Sequence, residues 1–197
     1  MRVRAAVLRS NTAPFSVEDL ELEDPRADEV LVRMVSAGMC HTDVLSRALP
    51  PEYFQGPSVF GHEGAGVVER VGSAVTKVEP GDHVVLSFRP CGKCRACEQH
   101  RPAYCLDFVA FNTTARRPED ATTALRDSTG GEIGSHYFGQ SSFSSYAVVA
   151  QDSVVPVDKS YDLKRLGPLG CGVQTGAGAI FNIFKVTKGD SGVIAGA

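Results

Sequence analysis

No stretch of this sequence is apolar for long enough to cross a bilayer as a helix, which would take about 20 such residues. Neither sign of charge dominates. Twenty lysines and arginines against 23 aspartates and glutamates leave a formal charge of −3. That balance argues against a surface built for nucleic acid or for an anionic membrane. An export signal is missing too. Met1-Arg2-Val3-Arg4-Ala5-Ala6-Val7-Leu8 has too short an apolar stretch, and its alternation is that of a strand. The expected compartment is therefore the cytosol. Internal repeats are absent, and so is tryptophan, although the second absence excludes nothing.

What is present is 197 residues, 43% of them hydrophobic. This is enough to bury a substantial core, and it suggests one domain, or one domain with part of another. Six cysteines stand out. In a reducing compartment a disulfide framework is not expected, so metal binding and catalysis become the leading explanations.

The first half reads as short strands broken by glycine and proline. Arg2 to Leu8, Val30 to Val35, Gly64 to Val71 and Asp82 to Phe88 are strand candidates, with turns at 24–28, 72–73 and 79–81. Strands at this spacing suggest a closed or partly closed β-barrel, mostly β with some helix. Residues 108–136, with polar, aperiodic Asn112 to Asp120, read as a surface excursion. Strands resume at Ser145 to Val149 and Val154 to Val157. Past Pro168, Gly176 to Phe184 has helical spacing and ends at Gly189-Asp190. Ser191 to Ala197 then reads as a buried parallel strand entering a glycine turn, the way a nucleotide-binding βαβ unit begins.

Cys91, Cys94, Cys97 and Cys105 form a C-x2-C-x2-C-x7-C cluster. Short C-x2-C steps let neighbouring thiolates converge on one ion, and zinc takes four sulfurs tetrahedrally. Such a site is closed and carries a net charge of −2 (2 − 4), so its role is to organise a loop. Lys93, Arg95 and Arg101 are placed to offset that charge. An iron–sulfur cluster is the rival reading, but the Cys-Pro ending of the bacterial ferredoxin run is missing. Four free buried cysteines within fifteen residues are the bland alternative.

Three further features are scattered: Gly38-Met39-Cys40-His41-Thr42-Asp43, Gly61-His62-Glu63-Gly64-Ala65-Gly66 and Gly170-Cys171-Gly172. Alone, each cysteine reads as a small buried hydrophobe and the histidine as a turn residue. Together they resemble the zinc-dependent medium-chain alcohol dehydrogenases, over essentially all of the chain. The Gly-His-Glu-Gly-Ala-Gly-Val-Val-Glu block is the most specific part, followed by Pro80-Gly81-Asp82-His83-Val84. Cys40-His41-Thr42-Asp43, Gly167 to Gly172 and Phe138 to Phe143 point, within that family, to the aryl- or benzyl-alcohol dehydrogenases.

The resemblance implies a GroES-like, partly open β-barrel catalytic domain over residues 1–171, with a structural-zinc lobe at 88–106. Residues 172–197 would begin an incomplete Rossmann domain. It implies two zinc ions per chain. Cys40, His62 and Cys171 would hold the catalytic one, with Glu63 as a transient or supporting ligand and Asp43 orienting the histidine. Asp43 could otherwise be a helix or turn cap. Three protein ligands leave a fourth position open. The implied reaction is reversible NAD-linked oxidation of a primary, aromatic alcohol to the aldehyde. Thr42 matches the hydroxyl that takes the alcohol proton. Leu45 stands where many relatives have the next histidine of the relay, so the relay ends differently or uses water. His41, Thr175 and Gly196 fall at cofactor-side positions. Tyr53, Phe54, Phe88, Tyr137 and Phe138 fall at positions lining the substrate channel, unless they are ordinary core.

A non-enzymatic zinc module is the competing class. An aliphatic, terpene or glutathione-linked alcohol is the competing substrate. NAD and NADP are not separated, and the family implies a homodimer or homotetramer for the full-length form. The isolated chain is expected to lack dehydrogenase activity, because hydride transfer needs a cofactor held against the substrate.

Overall fold

The computed structural model describes residues 1–48 and 56–195. Among these, the strands are β1 (Arg2–Leu8), β2 (Phe15–Leu22), β3 (Glu29–Ala37), β4 (Ser58–Val59), β5 (Gly64–Val71), β6 (His83–Leu86), β7 (Leu125–Arg126), β8 (Glu132–Ile133), β9 (Tyr146–Ala150) and β10 (Val154–Val157). The helices are α1 (His41–Ala48), α2 (Arg95–Glu98), α3 (Phe108–Asn112) and α4 (Gly172–Gly178).

The strands form two sheets, ordered β4-β1-β2-β7-β8 and β10-β6-β5-β3-β9. Every pairing between named strands is antiparallel. β1 shows the expected alternation, with Val3, Ala5 and Val7 buried and Arg2 and Arg4 exposed. β3 does not alternate, because it has core on both faces. Its Val30 and Val32 pack with Val68, Val84 and Val149, whereas Leu31 packs with Val3, Leu20 and Val148. Full burial of one such side chain contributes about 1.5–3 kcal/mol.

Residues 143–145 join the two sheets. β4 covers only the Val7–Leu8 end of β1. Beyond it, Ala6 N donates to Phe143 O (2.8 Å) and Ser145 N donates to Arg4 O (2.8 Å). The same stretch runs on into β9, and Ser145 O accepts from Met34 N of β3 (3.0 Å). The result is the barrel-like closure expected from the strand spacing. Irregular pairing of β3 with β5, between Leu31 and Val32 and between Met34 and Ser36, bends the strand end that leads to Cys40.

β2 is a strand that hydrophobic alternation does not announce, since Val17 is exposed and only Leu20 and Leu22 are buried. Two expectations need correcting. Residues 108–136 are not a mere surface excursion. Arg117 is 2% exposed and forms a two-pronged ion pair with Glu29 at the start of β3, Nε to Oε1 (2.6 Å) and Nη2 to Oε2 (2.9 Å). His136 Nε2 lies 3.1 Å from Glu29 Oε1. Burial pushes Glu29 up, but His136 and Arg117 outweigh it, and the carboxyl sits well below its usual range. Burial also holds His136 down, although Glu29 pulls the other way. A polar segment is thus anchored inside by charge pairing, which hydrophobic periodicity cannot reveal.

The strand expected over Ser191–Ala197 is also absent from its described part, residues 191–195. These residues are exposed, with Val193 at 97%. A buried parallel strand needs paired neighbours, and none lies beside it among the described residues. The preceding helix starts earlier than expected, at Gly172, and passes into a π-helical turn over Ala179–Phe184.

Removing one partner of a buried ion pair costs about 3–5 kcal/mol. Arg117→Met is expected to destabilise the chain by that order in urea unfolding, and Glu29→Gln with Arg117→Met by clearly less. A single-variant loss no larger than that of an exposed arginine would show that the segment is not anchored there. Because the Glu29 carboxyl is held below its ordinary 4.5, its contribution is fully present above that pH and fades as pH falls further.

Candidate functional site

Cys40 precedes α1, His62 and Glu63 form the turn before β5, and Cys171 precedes α4. One ligand atom from each lies within 4.8 Å of the others. Asp43, 1% exposed in the first turn of α1, organises two of the three segments. Its Oδ2 accepts from Cys40 N (3.1 Å), and its Oδ1 accepts from Gly61 N (3.1 Å). The same Oδ1 lies 2.9 Å from His62 Nδ1. This places the proton on Nδ1 and leaves the Nε2 lone pair facing the cluster. His62 Nε2 is buried and has no hydrogen-bond partner. An orphaned buried nitrogen beside two sulfurs and a carboxylate fits a metal ion.

The backbone of the turn requires glycine. Gly61 stands at φ +91°, and a Cβ there would lie 2.6 Å from the Phe143 ring. Glu63 is buried, and its Oε1 accepts from Gly172 N (2.8 Å), so the turn also grips the start of α4.

The charges of the cluster also call for a cation. Burial pushes the Cys171 thiol up to about 12, and the negative charge of Cys40 adds to this. Burial raises Cys40 as well, but Thr42 and the His62 ring outweigh it and pull its thiol down. Burial lowers His62, but the Asp43 carboxylate and Cys40 raise it overall. Crowded anionic donors of this kind ionise together only when a positive ion shares the site.

The four remaining cysteines form a second convergence. The ligand atoms of Cys91, Cys94, Cys97 and Cys105 also lie within 4.8 Å of one another. Leu106 N donates to Cys94 Sγ (3.4 Å) and Cys91 N donates to Cys105 Sγ (3.3 Å). The Leu106 and Cys97 amides bring the Cys94 thiol down to about 6, while burial raises Cys91 to about 12. Over residues 91–106 only Cys105 is buried. A lobe without a hydrophobic core needs a cross-link to hold its shape, and four thiolates suit zinc. Lys93 and Arg95 are exposed beside it, and the Arg101 guanidinium stacks over Tyr104, 4.6 Å from the ring centroid.

A cleft of about 680 Å³ opens over the first cluster, lined by His62, Cys171, Phe88, Tyr104, Phe108, Phe138 and Thr175 among others. Phe138 lies over His62 with ring centroids 4.6 Å apart. Phe108 bridges Phe88 and Phe138 at 5.7 and 5.9 Å. Of the residues expected to line the substrate channel, Phe88 and Phe138 stand in the wall of this cleft. Tyr137 is not among the lining residues. It is buried against Phe60 and Phe138. Tyr53, Phe54 and Gly196 lie outside the described residues. Thr42 Oγ1 is 3.6 Å from Cys40 Sγ. His41, the first residue of α1, and Leu45 are exposed, and Thr175 sits in the middle of α4.

Sequence reasoning missed three contributors. Tyr104 and Phe108 flank Cys105 and reach the cleft from the cysteine lobe, a placement that only the fold creates. Gln140 is completely buried and hydrogen-bonds across the His62 turn. A long amide in a glycine- and serine-rich stretch was its one signal.

Residues 26–159 match the alcohol dehydrogenase GroES-like domain family. The geraniol dehydrogenase of Castellaniella defragrans is 43% identical over 98% of this chain and 51% of its own length. The crystal structure of benzyl alcohol dehydrogenase from Acinetobacter calcoaceticus superposes with a TM-score of 0.85 at 43% identity, covering 95% of this chain and 49% of that one. An alcohol dehydrogenase zinc-binding domain protein from Burkholderia ambifaria reaches a TM-score of 0.90 at 48% identity, covering 97% and 51%. The chain spans about half the length of the curated relatives it matches. With its barrel-like pair of sheets, its two convergent donor sets and this match across most of its length, the chain belongs to the alcohol dehydrogenase GroES-like domain family.

Proposed function

We propose that this chain supplies the metal-binding, substrate-side half of a zinc-dependent alcohol dehydrogenase that oxidises a primary aromatic alcohol to its aldehyde, with NAD as acceptor. The carrying observation is that Cys40, His62, Glu63 and Cys171 converge where an aromatic-walled cleft opens. Two zinc ions per chain fit the two donor sets: Cys91, Cys94, Cys97 and Cys105 would hold the one that braces the lobe, and Cys40, His62 and Cys171, with Glu63 beside them, the other. The zinc in the open set supplies a Lewis acid that makes a bound alcohol easier to deprotonate. Thr42 Oγ1, beside Cys40 Sγ, is the hydroxyl placed to take that proton. Leu45 is an exposed, non-titrating side chain one helical turn on, so water takes the next step. Phe88, Phe108 and Phe138 orient a flat ring and exclude water from the reacting carbon. His41, Thr175 and Gly196 are assigned to the cofactor side, and the full-length protein to a homodimer or homotetramer. None of the described cysteines forms a disulfide, which suits a reducing cytosol. No described helix is long and apolar enough to cross a membrane.

Relatives named for geraniol and for S-(hydroxymethyl)glutathione make substrate choice the open alternative. Among the described residues no lysine or arginine lines the cleft. A glutathione adduct, which carries carboxylates, would there lose its hydration without a charged partner. A terpene alcohol meets no such obstacle and is the second reading.

Metal analysis of the purified chain is expected to give two zinc ions, one lost in Cys94→Ser and the other in Cys40→Ser. One ion in the wild-type chain, retained in Cys40→Ser, would remove the catalytic reading. The same chain should show no NAD-dependent alcohol oxidation, since no parallel sheet with a phosphate-binding turn lies among its described residues.

Asp43→Asn is expected to weaken the open site by about 10–100-fold, the usual cost of losing a ligand's orienting partner. Competition with a chelator measures this, and equal affinities in the two chains would rule out the orienting role.

In the full-length enzyme, Phe138→Ala should raise KM for benzyl alcohol by about tenfold, equivalent to about 1.4 kcal/mol of lost ring contact. A substrate panel preferring S-(hydroxymethyl)glutathione over benzyl alcohol and geraniol would overturn the apolar-substrate assignment.

A further inference from the structure

Two side-chain-bearing residues close together stand in the left-handed region, Phe138 at φ 52° and Ser141 at φ 48°. Such backbone persists only where its surroundings hold it, and it concentrates at functional sites. Gln140 lies between them, with no exposed surface. Its carboxamide reaches away from its own loop and into the site. Oε1 accepts from Gly64 N (3.1 Å), and Nε2 donates to His62 O (3.0 Å) and to Ser87 O (3.2 Å). Both amide hydrogens are used, and all three partners are backbone groups at or beside the cluster.

The chain of contacts continues. Ser87 Oγ donates to Gly170 O (3.1 Å), directly before Cys171. Gln174 Nε2 donates to the same carbonyl (2.6 Å). Asp43 already ties Cys40 to His62. Beside the bond of Glu63 to Gly172 N, a second route from His62 to Cys171 runs through Gln140 and Ser87. Ser87 also precedes Phe88, and Gln140 follows Phe138 by two residues, so the same amide reaches both sides of the aromatic wall.

We propose that Gln140 is the positioning residue of the Cys40, His62, Cys171 zinc centre, fixing the His62 turn relative to Cys171 and to the Phe88 and Phe138 walls. This rests on the reading of those residues as a zinc site. It gives the left-handed loop a purpose: the strained backbone delivers one buried amide to backbone groups of two separate segments. A core amide serving the fold alone would show no preference between the two metal sites, and that difference is measurable.

The test is zinc affinity, by chelator competition, of the 197-residue chain carrying Gln140→Met, which keeps the bulk and removes the amide. Cobalt(II) absorption of the same variant reports ligand geometry. We expect the site lost in Cys40→Ser to weaken by about 10–100-fold with an altered cobalt spectrum, while the four-cysteine site keeps its affinity. Equal weakening of both sites, or of neither, overturns the proposal. Should Gln140→Met not fold, Gln140→Glu is read by the same criterion, since it retains the acceptor for Gly64 N and loses the donor pair. A wild-type chain that binds one ion, retained in Cys40→Ser, overturns the zinc-site reading and this inference with it. Two wild-type ions with an unaffected Gln140→Met overturn this inference alone.

Discussion

The carboxylate of Asp43 fixes how two pieces of chain, already brought side by side by the pairing of β3 with β5, present their side chains. It accepts backbone hydrogen from Cys40 and from Gly61, and it faces Nδ1 of His62. A buried carboxylate is costly unless its oxygens are satisfied, and here the groups that satisfy it belong to the two segments carrying Cys40 and His62. The constraint therefore acts in both directions: the site cannot loosen without stranding a charge, and the charge cannot be stranded without opening the site. By fixing the tautomer of His62 it also decides which nitrogen faces the cluster.

The same logic recurs elsewhere. Glu29, Arg117 and His136 pin the middle of the chain to the start of β3 by a buried ion pair. The cysteine lobe has almost no buried side chains of its own, so its convergent sulfurs take the place of a core. That lobe is more than an ornament on the barrel, because Tyr104 and Phe108 at its exit form part of the cleft wall. Order in the lobe and the shape of the cleft are thus linked by chain connectivity. Gln140 adds a third polar brace, between His62 and Ser87. Hydrophobic burial supplies the barrel, and a few buried polar groups decide where its loops stand.

Much of the barrel was legible beforehand. The strands of Arg2–Leu8, Gly64–Val71 and Val154–Val157 announce themselves through alternation or β-branched runs between turns. β2 did not, because Val17 faces outward among acidic residues and only Leu20 and Leu22 are buried. The 108–136 segment misled, since burial driven by ion pairing leaves no hydrophobic period to detect. Ser191 to Ala195 misled in the opposite sense. Their composition suits a buried strand, but a strand is defined by its neighbours, and none pairs with them among the described residues.

At the site, the four-cysteine cluster is written in the spacing of its residues. Its donors are so few residues apart that closing those loops costs little, and local connectivity nearly suffices to bring the sulfurs together. The sequence also determined which residue types could carry metal chemistry, and that Cys40-His41-Thr42-Asp43 and Gly61-His62-Glu63 were candidates. Only the tertiary structure decided that Cys40, His62 and Cys171 share one point in space, that Tyr137 is core while Phe138 is wall, and that Gln140 reaches the turn. Those juxtapositions depend on sheet pairing and barrel closure between residues far apart in the chain. Their entropic cost is met by the whole core rather than by any local motif.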